Sequence, residues 1–208
     1  TQLAMNTMYF TDEPLGTIPY SVVSDLSKDG MRVNSVIPFA MADNYNGYGV
    51  VGTSPEFLMD KELKDGTLFE SNKSLEAVVG YNVAKYNGLK IGDVLHTSHS
   101  STGMDSHHEQ EIRVVGILKE SHSSFDNIVF TQIQTLWQVH QHEGEEAHKT
   151  VCAILVNAKN PGYALQLLNE YDGKIVTHED ETFTLQAIEP MDAVRDVLND
   201  ADDTKYIV

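Results

Sequence analysis

The chain has 208 residues, with 31 acidic against 14 basic side chains and a formal charge of −17. So acidic a surface repels phosphate backbones and anionic lipid headgroups alike, which argues against a nucleic-acid partner or a peripheral membrane role. Charged residues at 22% and apolar ones at 41% describe an ordinary globule of one domain or two small ones, and the longest apolar run, Val151 to Val156, is far short of the roughly 18 residues of a bilayer span.

The first dozen residues carry no clear period. Pro19 opens a predicted helix, Val22, Val23 and Leu26 give it an apolar stripe, and Gly30 is expected as a left-handed stop. Val33 to Met41 reads as a strand, Asp43 to Gly47 as a turn, and Tyr48 to Thr53 as the returning strand. Ser54-Pro55-Glu56 is a helix-start signature. Residues 60–75 are polar and turn-rich and are expected to mark a subdomain boundary. Leu75 to Val79 is a short strand, Asn82 to Asn87 a two-turn helix ending at Gly88, and Gly88 to Asp93 a double-glycine turn feeding a strand from Val94. A loop of Ser, His, Gly and acids runs from Ser98 to Gln110, followed by the apolar strand Ile112 to Lys119, expected to be covered on both faces.

Ile128 to Phe130 is another strand, and Ile133, Leu136, Trp137 and His140 share one helix face. After a polar stretch at 141–149, the strand Val151 to Asn157, a helix capped by Asn160-Pro161 and carrying Ala164, Leu165 and Leu168, and the strand Lys174 to Thr177 predict a right-handed βαβ unit. Phe183 and Leu185 suggest a further strand, and Met191, Val194, Val197 and Leu198 a terminal helix before the acids of 200–203. Two βα-rich ends around a β-rich middle predict an α+β fold, with the middle inserted into the outer unit.

Gly47-Tyr48-Gly49-Val50-Val51-Gly52 matches the dinucleotide fingerprint, but its β-branched residues and Pro55 conflict with the helix that motif requires, so a glycine-marked hairpin strand is expected. There is no G-x-S-x-G elbow, P-loop or H-E-x-x-H helix, and His142-Glu143 is followed by Glu146 where a second histidine would be needed. His178-Glu179-Asp180-Glu181 reads as a solvated acidic turn. No residue set selects a catalytic triad, although Ser, His and Asp are frequent enough to assemble one in space. The lone Cys152 lies within an apolar run and reads as a buried small hydrophobe rather than a nucleophile; a single cysteine leaves the redox compartment open.

Nine histidines stand out, four of them, His96, His99, His107 and His108, within thirteen residues and followed by Glu109. Imidazole nitrogen and carboxylate oxygen are the donors that zinc and similar divalent ions prefer, so His99, His107, His108 and Glu109 are the candidate ligands for Zn²⁺. The competing reading is a hydrophilic hairpin tip with surface histidines. His140 is expected to be a helix-end histidine touching its own negative dipole end, and His122, among serines, to sit in a turn.

Several segments together resemble a known family. Pro14-Leu15-Gly16-Thr17-Ile18-Pro19, the run from Val36 to Tyr45, Gly47 to Pro55, Glu76-Ala77-Val78-Val79-Gly80 with Gly88 to Asp93, Arg113 to Leu118, and Trp137-Gln138-Val139-His140 are similar in order and spacing to the extracytoplasmic, MacB-like periplasmic core domain of FtsX-like ABC transporter permeases, over roughly residues 14–200. The resemblance implies two lobes, with 1–60 plus 150–208 as an outer βα lobe and 61–149 as an inserted β-rich lobe. It also implies a place between the first and second membrane spans of a bacterial cell-membrane permease, with apolar spans flanking this segment in the parent protein. The partners it implies are a cytoplasmic ATPase subunit, a second permease copy, and a periplasmic protein or cargo. It transfers no catalytic residue and no required cofactor. One branch of the family carries a Ser-His and His-rich loop before the Val-Val-Gly strand, where this chain has Ser98-His99 and His107-His108. The chain departs from the family at Glu120-Ser121-His122-Ser123-Ser124, where a Pro-Thr-Gly-Thr turn is expected.

The expected function is therefore non-catalytic coupling of ATP-driven membrane motion to an extracytoplasmic partner or cargo, in efflux or in lipoprotein- or metal-related transport, with the polar stretches 60–75 and 141–149 as hinges. The alternatives are a Zn-like binding or sensing domain built on the loop 96–109, and a secreted metal-dependent hydrolase.

Overall fold

The computed structural model describes residues 16–98, 109–140, 149–178 and 180–189. In chain order its elements are β1 (Ile18–Pro19), α1 (Tyr20–Lys28), β2 (Val33–Tyr45), β3 (Tyr48–Thr53), β4 (Leu63–Gly66), β5 (Glu76–Val79), α2 (Tyr81–Asn87), β6 (Val94–Leu95), β7 (Ile112–Leu118), β8 (Ile128–Gln132), α3 (Ile133–Val139), β9 (Thr150–Val151), β10 (Ala153–Ala158), α4 (Pro161–Tyr171), β11 (Ile175–His178) and β12 (Glu181–Thr184). One-turn 3₁₀ helices at Pro55–Leu58 and Ser124–Asn127 complete the set. The architecture is α+β, as expected.

The chain divides into two compact units, one holding the described residues 16–36 and 156–189, the other residues 37–155. The second is inserted into the first, but it begins at 37 rather than at 61. Residues 37–60 belong with the insertion because β3 pairs in parallel with β8, Val51 opposite Phe130, and its hairpin partner β2 comes with it. Nor is 60–75 a boundary: it contains β4, paired with β7, and the fully buried Phe69.

In the first unit, Pro19 at φ −58° leads into α1 without losing a backbone donor, and Val22, Val23 and Leu26 are buried. The helix does not stop on a left-handed Gly30, which keeps a negative φ. Asp29 closes it: its carboxylate accepts the Arg32 backbone N–H at 3.1 Å and the Arg32 Nε at 2.6 Å, and Arg32 Nη1 reaches Glu170 on α4 at 2.7 Å. Asn160 caps α4 by accepting the Tyr163 N–H at 2.9 Å. The buried face runs through Leu167 with Tyr163, Leu168 and Tyr171 half-buried, whereas Ala164 and Leu165 face solvent, contrary to the expected stripe. The predicted βαβ unit is also absent. After Gly173, at φ +72°, β11 finds its partner locally, pairing antiparallel with β12 in a two-stranded sheet. The predicted helix at 191–198 lies outside the described residues.

The sheet of the second unit runs in the order β10-β2-β3-β8-β5-β7-β4, with β6 also against β7. β5–β7 and β3–β8 are parallel, and β2–β3, β4–β7, β5–β8 and β6–β7 are antiparallel. Asn46 and Gly47 (φ +49° and +88°) form a two-residue turn between the paired Tyr45 and Tyr48, the geometry that matches the twist of a hairpin. The fingerprint-like glycines thus lie on a hairpin strand, as expected. Gly52 is needed where α3 crosses, since a Cβ there would lie 2.7 Å from Leu136 Cδ1 and 3.2 Å from Ile133 Cα. α2 ends at Gly88 in the left-handed conformation, and Ile133, Leu136 and Val139 bury the face of α3 against this sheet.

Candidate functional site

The most unusual group in the second unit is a buried acid. The β2–β3 register slips between Met41 and Asp43, a bulge that re-aims the residues beyond it. Asp43 is left with a side chain wholly shut off from water, where a lone carboxylate would be costly. Thr97 and His140 compensate it. The Thr97 hydroxyl donates to Oδ2 at 2.7 Å, and the His140 Nε2 lies 2.9 Å from Oδ1.

Each partner is positioned by the fold. Beyond β6 the chain runs along β2, and Ser98 exchanges two backbone hydrogen bonds with Asn44, at 2.8 and 2.9 Å; Thr97 and Ser98 are both buried. His140 caps α3, its backbone N–H donating to the Leu136 carbonyl at 3.1 Å. Its imidazole, expected to sit on its own helix end, pairs with Asp43 on β2 instead. Nε2 and Oδ1 are closed to solvent and meet as a close charge contact without hydrogen-bond geometry, and the His140 side chain as a whole is 26% exposed.

Sequence reasoning misses this cluster because Asp43 reads as a turn residue. A usable signal lies in Asn46-Gly47, the strongest short hairpin turn, which extends the strand to Tyr45 and places Asp43 inside it. Of the predicted ligands, His99, His107 and His108 lie outside the described residues, and Glu109 is exposed. His96 is exposed beyond β6. Among the described residues, no three His, Cys, Asp or Glu side chains are grouped to hold a metal ion.

His122 sits in a turn, as expected, at φ +54° and exposed. The turn is tied by the buried Asp126, which accepts the backbone N–H groups of Ser121 and His122 at 2.9 and 2.8 Å and the Ser121 hydroxyl at 2.9 Å. Cys152 is half-buried, and burial pushes its thiol pKa up, in keeping with a packing role.

The order of groups in the Asp43 cluster bears on chemistry. In a hydrolytic triad the imidazole stands between hydroxyl and carboxylate, so that it can take the hydroxyl proton. Here the carboxylate stands in the middle, with Thr97 and His140 both on it. In this arrangement the Thr97 hydroxyl gives its hydrogen to the carboxylate.

No family model and no curated protein matches the sequence. Solved structures do. The extracellular domain of the noncanonical ABC-type transporter YknZ from Gram-positive bacteria matches with a TM-score of 0.53 at 14% identity, over 73% of this chain and 79% of that one. The periplasmic region of MacB from Actinobacillus actinomycetemcomitans matches with a TM-score of 0.54 at 15% identity, over 88% of this chain and 83% of that one. The chain has the fold that these extracytoplasmic transporter domains share.

Proposed function

We propose that this chain is the extracytoplasmic domain of an ABC transporter permease. It makes and breaks no bonds, and it couples ATP-driven motion of the membrane spans to a partner or cargo outside the cytoplasm. The observation that carries the reading is the α+β fold with a β-rich unit threaded into a unit built from both chain ends, similar to the periplasmic region of MacB over most of its length. A cytoplasmic ATPase docks on the parent permease, and two permease copies pair. Two measurements test this. In the full-length parent protein, with Cys152→Ser, a cysteine at the exposed Met59 or Leu165 should react in intact cells with a maleimide that cannot cross membranes; labelling only after lysis would refute the location. Excising residues 37–155 should abolish transport while the ATPase still co-purifies, and unchanged transport would refute the coupling role.

The foot of the His-rich loop supports a second, compatible reading. Ser98, the last described residue before the loop, is pinned beside a buried carboxylate–imidazole pair. In this reading His99, His107, His108 and Glu109 bind Zn²⁺ or a similar divalent ion, as sensor or carrier. Calorimetry with ZnCl₂ should show binding by the wild-type chain and none by the combined His99→Ala, His107→Ala, His108→Ala variant. Equal binding by the two would refute it.

A further inference from the structure

We propose that the surface formed by α2, β4 and the segment between α2 and β6 docks an acidic polypeptide segment of a partner protein. The inference gives a chemistry to the partner of the transporter reading, and it rests on that reading only for where the partner stands, outside the cytoplasm. Three lysines define the surface. The Lys64 Nζ, from β4, lies 4.9 Å from the centre of the Tyr81 ring at the start of α2. The Lys85 Nζ, one helical turn on, lies 5.4 Å from the same ring and 5.6 Å from that of Tyr86. Lys90 follows α2 and precedes Ile91, and this stretch lies against the end of β4, where a Cβ on Gly66 would come 2.7 Å from Ile91 Cδ1. All three lysines are exposed, and so are Tyr86 at 69% and Ile91 at 41%.

Charge selects the occupant. Elsewhere in the inserted unit lysines are matched by acids of the chain itself: Lys61 by Asp60, Lys73 by Glu70 and Lys119 by Glu62. Among the described residues Lys64, Lys85 and Lys90 have no carboxylate partner, on a chain in which 31 acids face 14 bases. The acids beside them, Asp65 and Asp93, turn a carboxylate oxygen to the backbone N–H of Gly66 and of Lys90, each at 2.8 Å. An aromatic face eases the charge of an ammonium without taking up its N–H donors in strong hydrogen bonds, so those of Lys64 and Lys85 are left for carboxylates. Tyr86 and Ile91 add apolar area beside the charges, and tyrosine is a residue that interfaces favour. Two other occupants fit less well. An anionic bilayer is an extended plane that would bring the whole charge of −17 against its own, whereas a short segment meets only the patch within a Debye length of about 8 Å at physiological salt. Strand addition beside β4, the last strand of the sheet, is opposed by its length of four residues, its bulge between Leu63 and Asp65, and its charges at Lys64 and Asp65.

The test is fluorescence anisotropy of a labelled oligo-glutamate peptide titrated with the 208-residue chain, beside co-sedimentation with vesicles of phosphatidylcholine and phosphatidylglycerol. The wild-type chain should bind the peptide and not the vesicles, and more weakly as NaCl is raised. Lys64→Gln combined with Lys85→Gln should weaken peptide binding by about fivefold or more, the worth of two exposed charge pairs. Lys73→Gln combined with Lys119→Gln removes the same charge from lysines that already have acids, and should stay within about twofold of wild type. Equal losses in the two double variants would reduce the effect to net charge and overturn the inference. So would the absence of peptide binding by the wild-type chain, and vesicle binding without peptide binding would replace the acidic segment by a lipid surface. None of these outcomes bears on the labelling and excision experiments that test the transporter reading.

Discussion

The pairing of Asp43 with His140 makes a quantitative demand on the stability of the protein. Replacing His140 by Ala removes a compensating group from a carboxylate with no exposure of its own. Breaking a fully buried ion pair costs about 3–5 kcal/mol, because the remaining charge is stranded. His140 is 26% exposed, so truncating it opens a path for water to the carboxylate, and the cost falls to about 1–3 kcal/mol, the penalty of leaving a buried polar group without its partner. Asp43→Asn keeps an acceptor for Thr97 and removes the charge, at a cost of about 1 kcal/mol. In the Asp43→Asn background there is no charge left to strand, so His140→Ala should then cost well under 1 kcal/mol, a coupling energy of about 1–2 kcal/mol. Urea unfolding in EDTA gives the four stabilities. The single tryptophan, Trp137, is a local probe: it lies in α3 one turn before His140 and donates its indole N–H to the Thr150 carbonyl at 3.1 Å. Equal costs of His140→Ala in both backgrounds, within about 0.5 kcal/mol, would refute an electrostatic link between the two side chains.

Other positions give sharper structural tests. Gly80→Ala would place a Cβ 2.3 Å from the Phe125 carbonyl oxygen and 2.5 Å from the Asp126 backbone, so it should destabilise the chain by about 2–3 kcal/mol in urea unfolding. Gly49→Ala, whose nearest neighbour would be the flexible Ile128 Cδ1 at 3.7 Å, should stay within about 0.5 kcal/mol of wild type. The hydrogen bond from the Arg32 side chain holds the Asp29 carboxyl below its usual range, so its stabilising effect is present at neutral pH and disappears as pH falls through that lowered value. Arg32→Gln should therefore melt lower than wild type at neutral pH, with the gap closing in acid; a gap constant with pH would refute the linkage. Burial pushes the Cys152 thiol pKa up, so Cys152 should react slowly with a thiol reagent near neutral pH and at the rate of a free thiol once the chain is unfolded in urea.

How much of the fold is legible in the sequence depends on the range of the interaction involved. The starts of α1 and α4 at Pro19 and Asn160-Pro161, the hairpin strand after Gly47 and the stop at Gly88 all depend on a few neighbouring residues, and each is found in place. The failures are long-range. In place of the expected stop at Gly30, α1 is closed by Asp29 with Arg32, which is drawn also to Glu170 across 138 residues of sequence. The βαβ expectation assumes that β11 joins β10, whereas a local hairpin with β12 satisfies its backbone. The polar stretch 60–75 looks like a hinge because its residues are hydrophilic. It holds β4, whose pairing with β7 depends on Leu118 and Gly116, some fifty residues further on. The Asp43 cluster combines three such distances, with a bulge in β2, a pinned segment after β6 and the end of α3 meeting at one carboxylate, and no short motif announces it.

The order of those three side chains differs from that of a hydrolytic triad. In a hydrolytic triad the imidazole takes the hydroxyl proton, whereas the Thr97 hydroxyl donates to Asp43 Oδ2. A buried ion pair is often replaceable by apolar residues without loss of stability, so the use of this one to a force-transmitting domain lies in fixing how β2, the segment after β6 and the end of α3 meet.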